Sequence, residues 1–435
     1  MKTSVWLDSL EEVLRKQGSP VFETETATGE SQILSAANLW TRALEKKREI
    51  LRGGFSRGNL VYCPNRKEDF LVLLVASAMA GGKFCPIKEG ESTDLYDQAL
   101  LTNIDRPTEL VLKTSGSLGH PKIVSLSGDA ILHQIRSFAT SVGVEPDSGR
   151  LIFLPLHHCF GLIMDLLVGL FSKQTIFLRT PNQFSPSTVF KTLQQQNIRD
   201  ISLVPRMVEI LLDCAEKNPE KMCLLRNLRV HIGGSPISAS LRQRSQAAFD
   251  QVIEGYGLTE CAGGVLLNGR ANQCEVELNP ISEKADLYEL CVKSPALGHF
   301  AAAESEFNEN GCYRTGDVAA RKPDGSIEVI GRKGDFFKDQ SGSWTSLAAL
   351  RERLELNFGK SILALTRSEN RCGILLATNS GIDKISVSSY LDRHFGLDAD
   401  FIYIDTERVE NVLERSQKKS SADAFSEWME RKKCA

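Results

Sequence analysis

The chain reads as an α/β protein. It has a large N-terminal domain of parallel-sheet subdomains covered by helices, a small strand-rich subdomain, and a small α+β domain at the C-terminus. Three observations predict this. Short apolar runs alternate with helix-length segments through the first two thirds of the 435 residues. From about Asp286 the runs shorten and turn residues crowd between them. A last segment behind 330-IGRKGD-335 returns to mixed helices and strands. Parallel strands are buried on both faces and so read as apolar throughout, which is why the alternation implies sheets covered by helices.

The elements follow in order. In 1-MKTSVWLDSLEEVLRKQ-17, Val5, Trp6, Leu10, Val13 and Leu14 recur at helical spacing, as in an amphipathic docking helix. Asp8, Glu11 and Glu12 break the apolar core that a secretory signal needs. The run 59-NLVYCP-64 is a strand and 68-EDFLVLLVASAMAGG-82 a buried helix. Then come a strand at 151-LIFLP-155, a helix at 161-GLIMDLLVGLFSK-173, a strand at 175-TIFL-178, a helix at 187-STVFKTLQQQN-197 and a strand at 201-ISLVP-205. The strand-rich part has 287-LYELCVKS-294 and 326-SIEVI-330, with 323-PDG-325 as a turn. The last segment has helices near 345-TSLAALRERLELN-357 and 384-KISVSSYLDRHFG-396, and strands at 373-GILLAT-378 and 401-FIYID-405.

Composition excludes several classes. The net charge of −3 offers no basic footprint, so nucleic acid is not an expected partner. No segment reaches the roughly 18–20 apolar residues of a membrane span. The 11 cysteines stand singly, without zinc-ligand spacing, as expected of reduced thiols in a cytoplasmic protein.

The stretch 113-KTSGSLGHPKIVSLS-127 has the parts of a phosphate loop. Glycines let the backbone approach an anion, hydroxyls donate, and a lysine supplies charge. Yet Pro121 stands where a Walker A loop needs its second glycine, and proline has no N–H to donate. On these residues alone, a phosphate site and a plain turn between strands stay equally open.

The loop is one of an ordered set: 114-TSGSLGHPK-122, 155-PLHHCFG-161, 233-GGSPIS-238, 255-GYGLTE-260, and 313-YRTGD-317 followed by 331-GRKGD-335. Together they resemble the adenylate-forming superfamily of acyl-CoA synthetases, acyl-carrier-protein ligases, amino-acid adenylation domains and firefly luciferase. The resemblance runs from about Val61 to the C-terminus. It implies an ATP-dependent, AMP-forming ligase that makes an acyl adenylate and passes the acyl group to a thiol. The resemblance also implies two domains. Residues 1–331 would bind ATP and the acid, and residues 332–435 would form a mobile lid.

The resemblance implies the following roles. Thr114, Ser115, Gly116, Ser117 and Lys122 hold the β- and γ-phosphates. Tyr256 stacks on adenine within 256-YG-257, Thr259 bonds the α-phosphate, and Glu260 holds Mg²⁺, a cation that prefers carboxylate oxygen. Asp317 takes both ribose hydroxyls, and Arg332 contacts ribose or phosphates. Gly233 and Gly234 admit adenine and the acyl group, while His158 is the aromatic gate beside the carboxylate and His157 a bystander. Lys419, with Lys418 beside it in 414-ERSQKKSSADAF-425, is the adenylation lysine, without the glycine that usually precedes it. Gly334 stands where the family has a charged hinge residue.

The acid is expected to be fatty or aryl rather than an α-amino acid, from an apolar pocket region of Phe160, Leu162, Met164, Val204 and Met207. Asp165 on the following helix is expected either at the helix surface or against a polar group of the substrate. The acceptor is coenzyme A or an acyl- or peptidyl-carrier protein, since both end in the same thiol. A degenerate, non-catalytic member that binds adenylates or a partner protein is the alternative.

Overall fold

The structure, a computed structural model, describes residues 5–15, 21–25, 31–54, 59–64, 69–94, 96, 108–114, 122–179, 184–282, 286–300, 306–339, 341, 343–358, 362–368, 371–377 and 383–404. The chain falls into two compact units. One comprises Met1–Thr114, Ile123–Val276 and Val292–Glu304. The other comprises Ser115–Lys122, Glu277–Cys291 and Ser305–Ala435.

The first unit holds two sheets. The nine-stranded sheet runs in the order Arg270–Ala271, Gly263–Leu267, Gln251–Leu258, Arg229–Ile232, Ile198–Leu203, Gly149–Ile152, Thr175–Leu178, Val21–Glu25, Ser31–Ser35. Its inner strands are parallel and its outer pairs antiparallel. The four-stranded sheet has Leu60–Pro64, Lys83–Ile87 and Leu110–Lys113 in parallel order. It ends in an antiparallel hairpin to Ile123–Leu126, with Lys113 opposite Ile123. The parallel strands are buried on both faces; Thr175–Leu178 does so as a largely apolar run, while Ile198–Leu203 and Arg229–Ile232 also bury Asp200, Ser202, Arg229 and His231.

Helices cover these sheets. The N-terminal helix Val5–Arg15 docks through Trp6, Leu10, Val13 and Leu14. Leu10 and Leu14 are almost wholly buried, each contributing about 2 kcal/mol by leaving water. Val5, expected on the same stripe, is exposed. Helix Phe70–Ala80 has no polar stripe and is buried nearly all round. Helix Gly128–Val142 starts where the Ser127 hydroxyl accepts from the Ala130 amide at 3.2 Å, and it ends at Gly143 in the left-handed region, φ 68°.

One element departs from its expected form. The segment read as helix 161–173 is a π-helix over Phe160–Leu167 that tightens to an α-helix at Val168–Phe171. Wider turns of this kind re-aim side chains and recur at functional sites.

The second unit carries a four-stranded sheet of Glu275–Ser282, Leu287–Lys293, Tyr313–Arg321 and Ile327–Arg332. The 323-PDG-325 turn closes with the Ser326 carbonyl accepting from the Lys322 amide at 2.8 Å. Beyond Arg332 come a hairpin (Phe336–Lys338 with Trp344–Ser346), helices Leu347–Phe358 and Lys384–Phe395, and a three-stranded sheet of Ile362–Ser368, Arg371–Ala377 and Asp398–Ile404. Phe337, Leu350, Leu354, Ile374, Val387 and Leu391 form the core of this C-terminal part. Residue 332 ends a strand within the second unit, just before a single 3₁₀ turn at Lys333–Asp335.

Candidate functional site

Three of the sequence motifs meet in the first unit, at the end of strand Gln251–Leu258. The strand bulges between Tyr256 and Gly257, then enters a 3₁₀ turn at Thr259–Cys261. The chain reverses tightly there. A Cβ on Gly257 would lie 2.3 Å from the Gly263 carbonyl oxygen, so no other residue fits. Gly263 itself has φ 124°, and the Gly264 amide reaches the Met164 sulfur at 3.4 Å. Met164 and Leu162, placed by the sequence in an acyl pocket, are core residues under this turn, 4% and 0% exposed.

The Thr259 hydroxyl and the Cys159 thiol are 3.6 Å apart, across 100 residues of sequence. Burial pushes the Cys159 thiol above its ordinary range, the Thr259 contact partly offsets this, and the Glu260 charge adds to it. Phe160 turns the other way, toward Gly233. A Cβ on Gly233 would sit 3.3 Å from the Phe160 ring and 3.2 Å from the Gly255 carbonyl. Gly234 is left-handed, φ 84°, and its Cβ position faces Val204 at 3.5 Å. Tyr256, Thr259 and Glu260 are all half-buried at this junction, and Met207 is half-buried on the helix that follows Val204.

The His157 and His158 rings lie with centroids 4.2 Å apart, tilted 44° to one another. His158 is exposed and His157 half-buried. Beside them is a pair that the sequence did not announce. The Glu91 carboxylate accepts from the Lys113 ammonium and, at 3.0 Å, from the Lys88 amide. Burial alone would raise the Glu91 carboxyl. Lys113, the Lys88 amide and the nearby His157 outweigh that and hold it below the usual range. Lys113 directly precedes Thr114, which is buried at the end of its strand. The strand that leads into the phosphate-like segment thus ends at a charged clamp. Ser115, Gly116 and Ser117 lie outside the described residues.

Asp165 is neither on a helix surface nor set to meet a substrate. It is 0% exposed, accepts from Arg150 at 3.0 Å and from the Ser202 hydroxyl at 2.9 Å. A buried network continues through Asp200, which takes Arg229 at 2.7 Å, His231 at 2.9 Å and Gln174 at 2.7 Å. Burial raises the Asp165 carboxyl to about 6 against the pull of Arg150. Burial also drives His231 down to about 4, despite its bond to Asp200. The cations and His231 overcome burial at Asp200 and keep it ionised. Two unlike groups thus share one dry site because Arg150 and Arg229 supply the charge.

In the second unit, strands Tyr313–Arg321 and Ile327–Arg332 pair with Asp317 opposite Arg332. Arg332 Nε is 2.9 Å from Asp317 Oδ1, and its Nη1 donates to the Thr315 carbonyl at 3.1 Å. The Thr315 hydroxyl accepts from the Asp317 amide and donates to the Leu290 carbonyl, so the strand end is fixed from both sides. Glu289 pairs with Lys333 at 3.0 Å and Arg314 at 3.5 Å. Gly334 sits in the 3₁₀ turn, where a Cβ would meet nothing within 4 Å. Lys122 contacts Glu306, a partner with no signal in the sequence. Lys418 and Lys419 lie outside the described residues.

Among the described residues no group of three or more His, Cys, Asp or Glu could cage a metal. A single half-buried carboxylate such as Glu260 is compatible with Mg²⁺, which commonly uses one or two protein carboxylates and takes its other ligands from water and substrate phosphates. No helix among the described residues is long and apolar enough to cross a membrane.

Residues 108–295 match the family model "AMP-binding enzyme". Over 304 residues the chain is 26% identical to a feruloyl-CoA synthase of Amycolatopsis sp, covering 64% of this chain and 59% of that protein. It is 28% identical over 252 residues to a 2-succinylbenzoate–CoA ligase of Bacillus subtilis (strain 168), covering 53% of this chain and 50% of that one. The chain thus spans about half to three-fifths of the length of the curated relatives it matches. Two solved structures share its fold. ATP-bound MatB from Rhodopseudomonas palustris has a TM-score of 0.73 at 18% identity, covering 92% of this chain and 95% of its own. O-succinylbenzoate coenzyme A synthetase from Bacillus subtilis with AMP has a TM-score of 0.74 at 18% identity, covering 92% and 94%.

Proposed function

We propose that this chain, whose residues 108–295 match the AMP-binding enzyme family model, is a member of the adenylate-forming superfamily and an AMP-forming acid–thiol ligase. It uses ATP to activate a carboxylic acid and passes the acyl group to the thiol of coenzyme A or of a carrier-protein phosphopantetheine. The observation that carries this reading is the junction where Cys159, Phe160, Gly233, Gly255 and Thr259 pack together. Three motifs distant in sequence meet there with one exposed histidine, His158, beside them.

In the first step a carboxylate oxygen attacks the α-phosphorus of ATP and pyrophosphate leaves. Two anions must approach, so neutralising charge is the main task. Thr259 would hydrogen-bond the α-phosphate, Tyr256 would stack on adenine, and Asp317 would take the ribose hydroxyls with Arg332 beside it. Glu260 would hold Mg²⁺, which supplies charge neutralisation when bound. Thr114, Ser115, Gly116, Ser117 and Lys122 would hold the leaving phosphates, and Lys419 would reach the carboxylate and α-phosphate. In the second step the thiol sulfur attacks the acyl carbon and AMP leaves. Residues 332–435 would swing between the steps, at Gly334, while 1–331 keeps the adenylate.

Asp165 is committed to Arg150, which supports an acid without an ammonium group to pair. Phe160, Val204 and Met207 leave an apolar side to the junction. The relatives named for feruloyl and 2-succinylbenzoate groups favour an aryl acid.

ATP–pyrophosphate exchange over a panel of aryl and fatty acids tests the reading. Thioester formation is then scored with coenzyme A and with a holo carrier protein. Acid-dependent exchange is expected. ADP in place of AMP would mean phosphotransfer. Nucleotide binding without exchange would favour a non-catalytic member.

A further inference from the structure

We infer that Glu306 is a built-in competitor for the phosphate-binding lysine, an inference that rests on the ligase reading above. Lys122 Nζ lies 2.8 Å from both Glu306 oxygens, although 184 residues separate the two in sequence. The arrangement is anchored. Phe307, next to Glu306, pairs its backbone with Tyr313 and sets its ring 5.8 Å from the Tyr313 ring. The Lys122 ammonium lies 6.0 Å from the centre of that same ring. Glu306 is therefore held in place by the strand that begins with 313-YRTGD-317.

A polyphosphate that takes Lys122 must displace the carboxylate or tolerate a like charge beside it. Both side chains are about one third exposed, 30% and 32%, so the contest is winnable by a triply or quadruply charged ligand. Part-exposed pairs of this kind shift a binding constant by only about 2- to 5-fold. Glu306 would thus weaken the hold on ATP and on pyrophosphate alike. By recapturing Lys122 after adenylation, it would also speed pyrophosphate release.

The test is calorimetric titration of the full chain with inorganic pyrophosphate and with MgATP. Glu306→Gln, which keeps the shape and removes the charge, is expected to tighten pyrophosphate about 2- to 5-fold. Glu306→Asp is expected to stay near wild type. In a Lys122→Gln background, Glu306→Gln is expected to change nothing. Unchanged or weaker pyrophosphate binding by folded Glu306→Gln overturns the inference alone. Equal tightening with and without Lys122 also overturns it, because the effect is then a general field. If the folded wild type binds neither probe, the ligase reading falls too.

Discussion

Arg332 Nε lies 2.9 Å from Asp317 Oδ1 on the neighbouring strand. Asp317 is proposed for the ribose hydroxyls and Arg332 for ribose or phosphates, and the strand register makes them one unit. Arg332 is 42% exposed and Asp317 only 6%, so the arginine reaches inward to orient a buried carboxylate. A bulge between Val318 and Ala319 follows directly, and bulges re-aim the side chains next to them.

Asp317→Asn removes the charged acceptor and leaves the strand pairing intact. Hydrogen bonds to charged groups are worth about 1.5–3 kcal/mol, so AMP affinity should fall about 10- to 100-fold. Arg332→Gln should weaken it less. The double variant should lose less than the sum, because the two act together. Titration with AMP checks all three; unchanged affinity in Asp317→Asn would remove Asp317 from the site.

Gly257→Ala forces a methyl group onto the Gly263 carbonyl. Overpacking of this kind costs about 1–3 kcal/mol, read as a lower melting temperature. Gly255→Ala is the control. Its Cβ meets only the Ile232 carbonyl at 3.9 Å, so the fold should tolerate it. Equal melting of the two variants would contradict the close approach.

His231 is held neutral, with its value lowered to about 4 from 6.5. The unfolded chain therefore binds a proton that the folded one refuses. Stability from this group is complete above about pH 6.5 and is lost as pH falls toward about 4. Asp165 has the opposite sign. Its folded value of about 6 exceeds 3.8, so its contribution is lost as pH rises through about 6. His231→Gln can keep a donor to Asp200 without titrating, which isolates the first effect. Wild type should lose about 2 kcal/mol more than His231→Gln between about pH 7 and about pH 4.5, by urea melts. Equal losses would show that His231 is protonated in the fold.

Lys419→Ala should cut acid-dependent pyrophosphate exchange by about 100-fold or more, as expected when a charge that stabilises the transition state is removed. Thioester formation from a supplied acyl adenylate should survive. Lys418→Ala should leave both steps close to wild type. If Lys418→Ala proves the damaging change, the two assignments exchange places.

The sequence by itself determined the parallel sheets, because strands covered on both faces must be apolar along their length, as at 175-TIFL-178. It also carried the resemblance to the adenylate-forming superfamily, because short motifs keep their order whatever the loops between them do. It could not reveal partners that lie far apart along the chain. Asp165, Arg150 and Ser202 give no local sign that they share a dry site, and Asp165 was expected at a surface or a substrate. Met164 and Leu162 look like pocket residues on a helix of period 3.6, yet the π-helix aims them into the core. Lys122 carries the family's phosphate signal, but only the folded chain brings Glu306 to it. Periodicity and local chemistry are written in neighbouring residues. Pairing between distant charges is decided by topology, which places one strand's end beside another's.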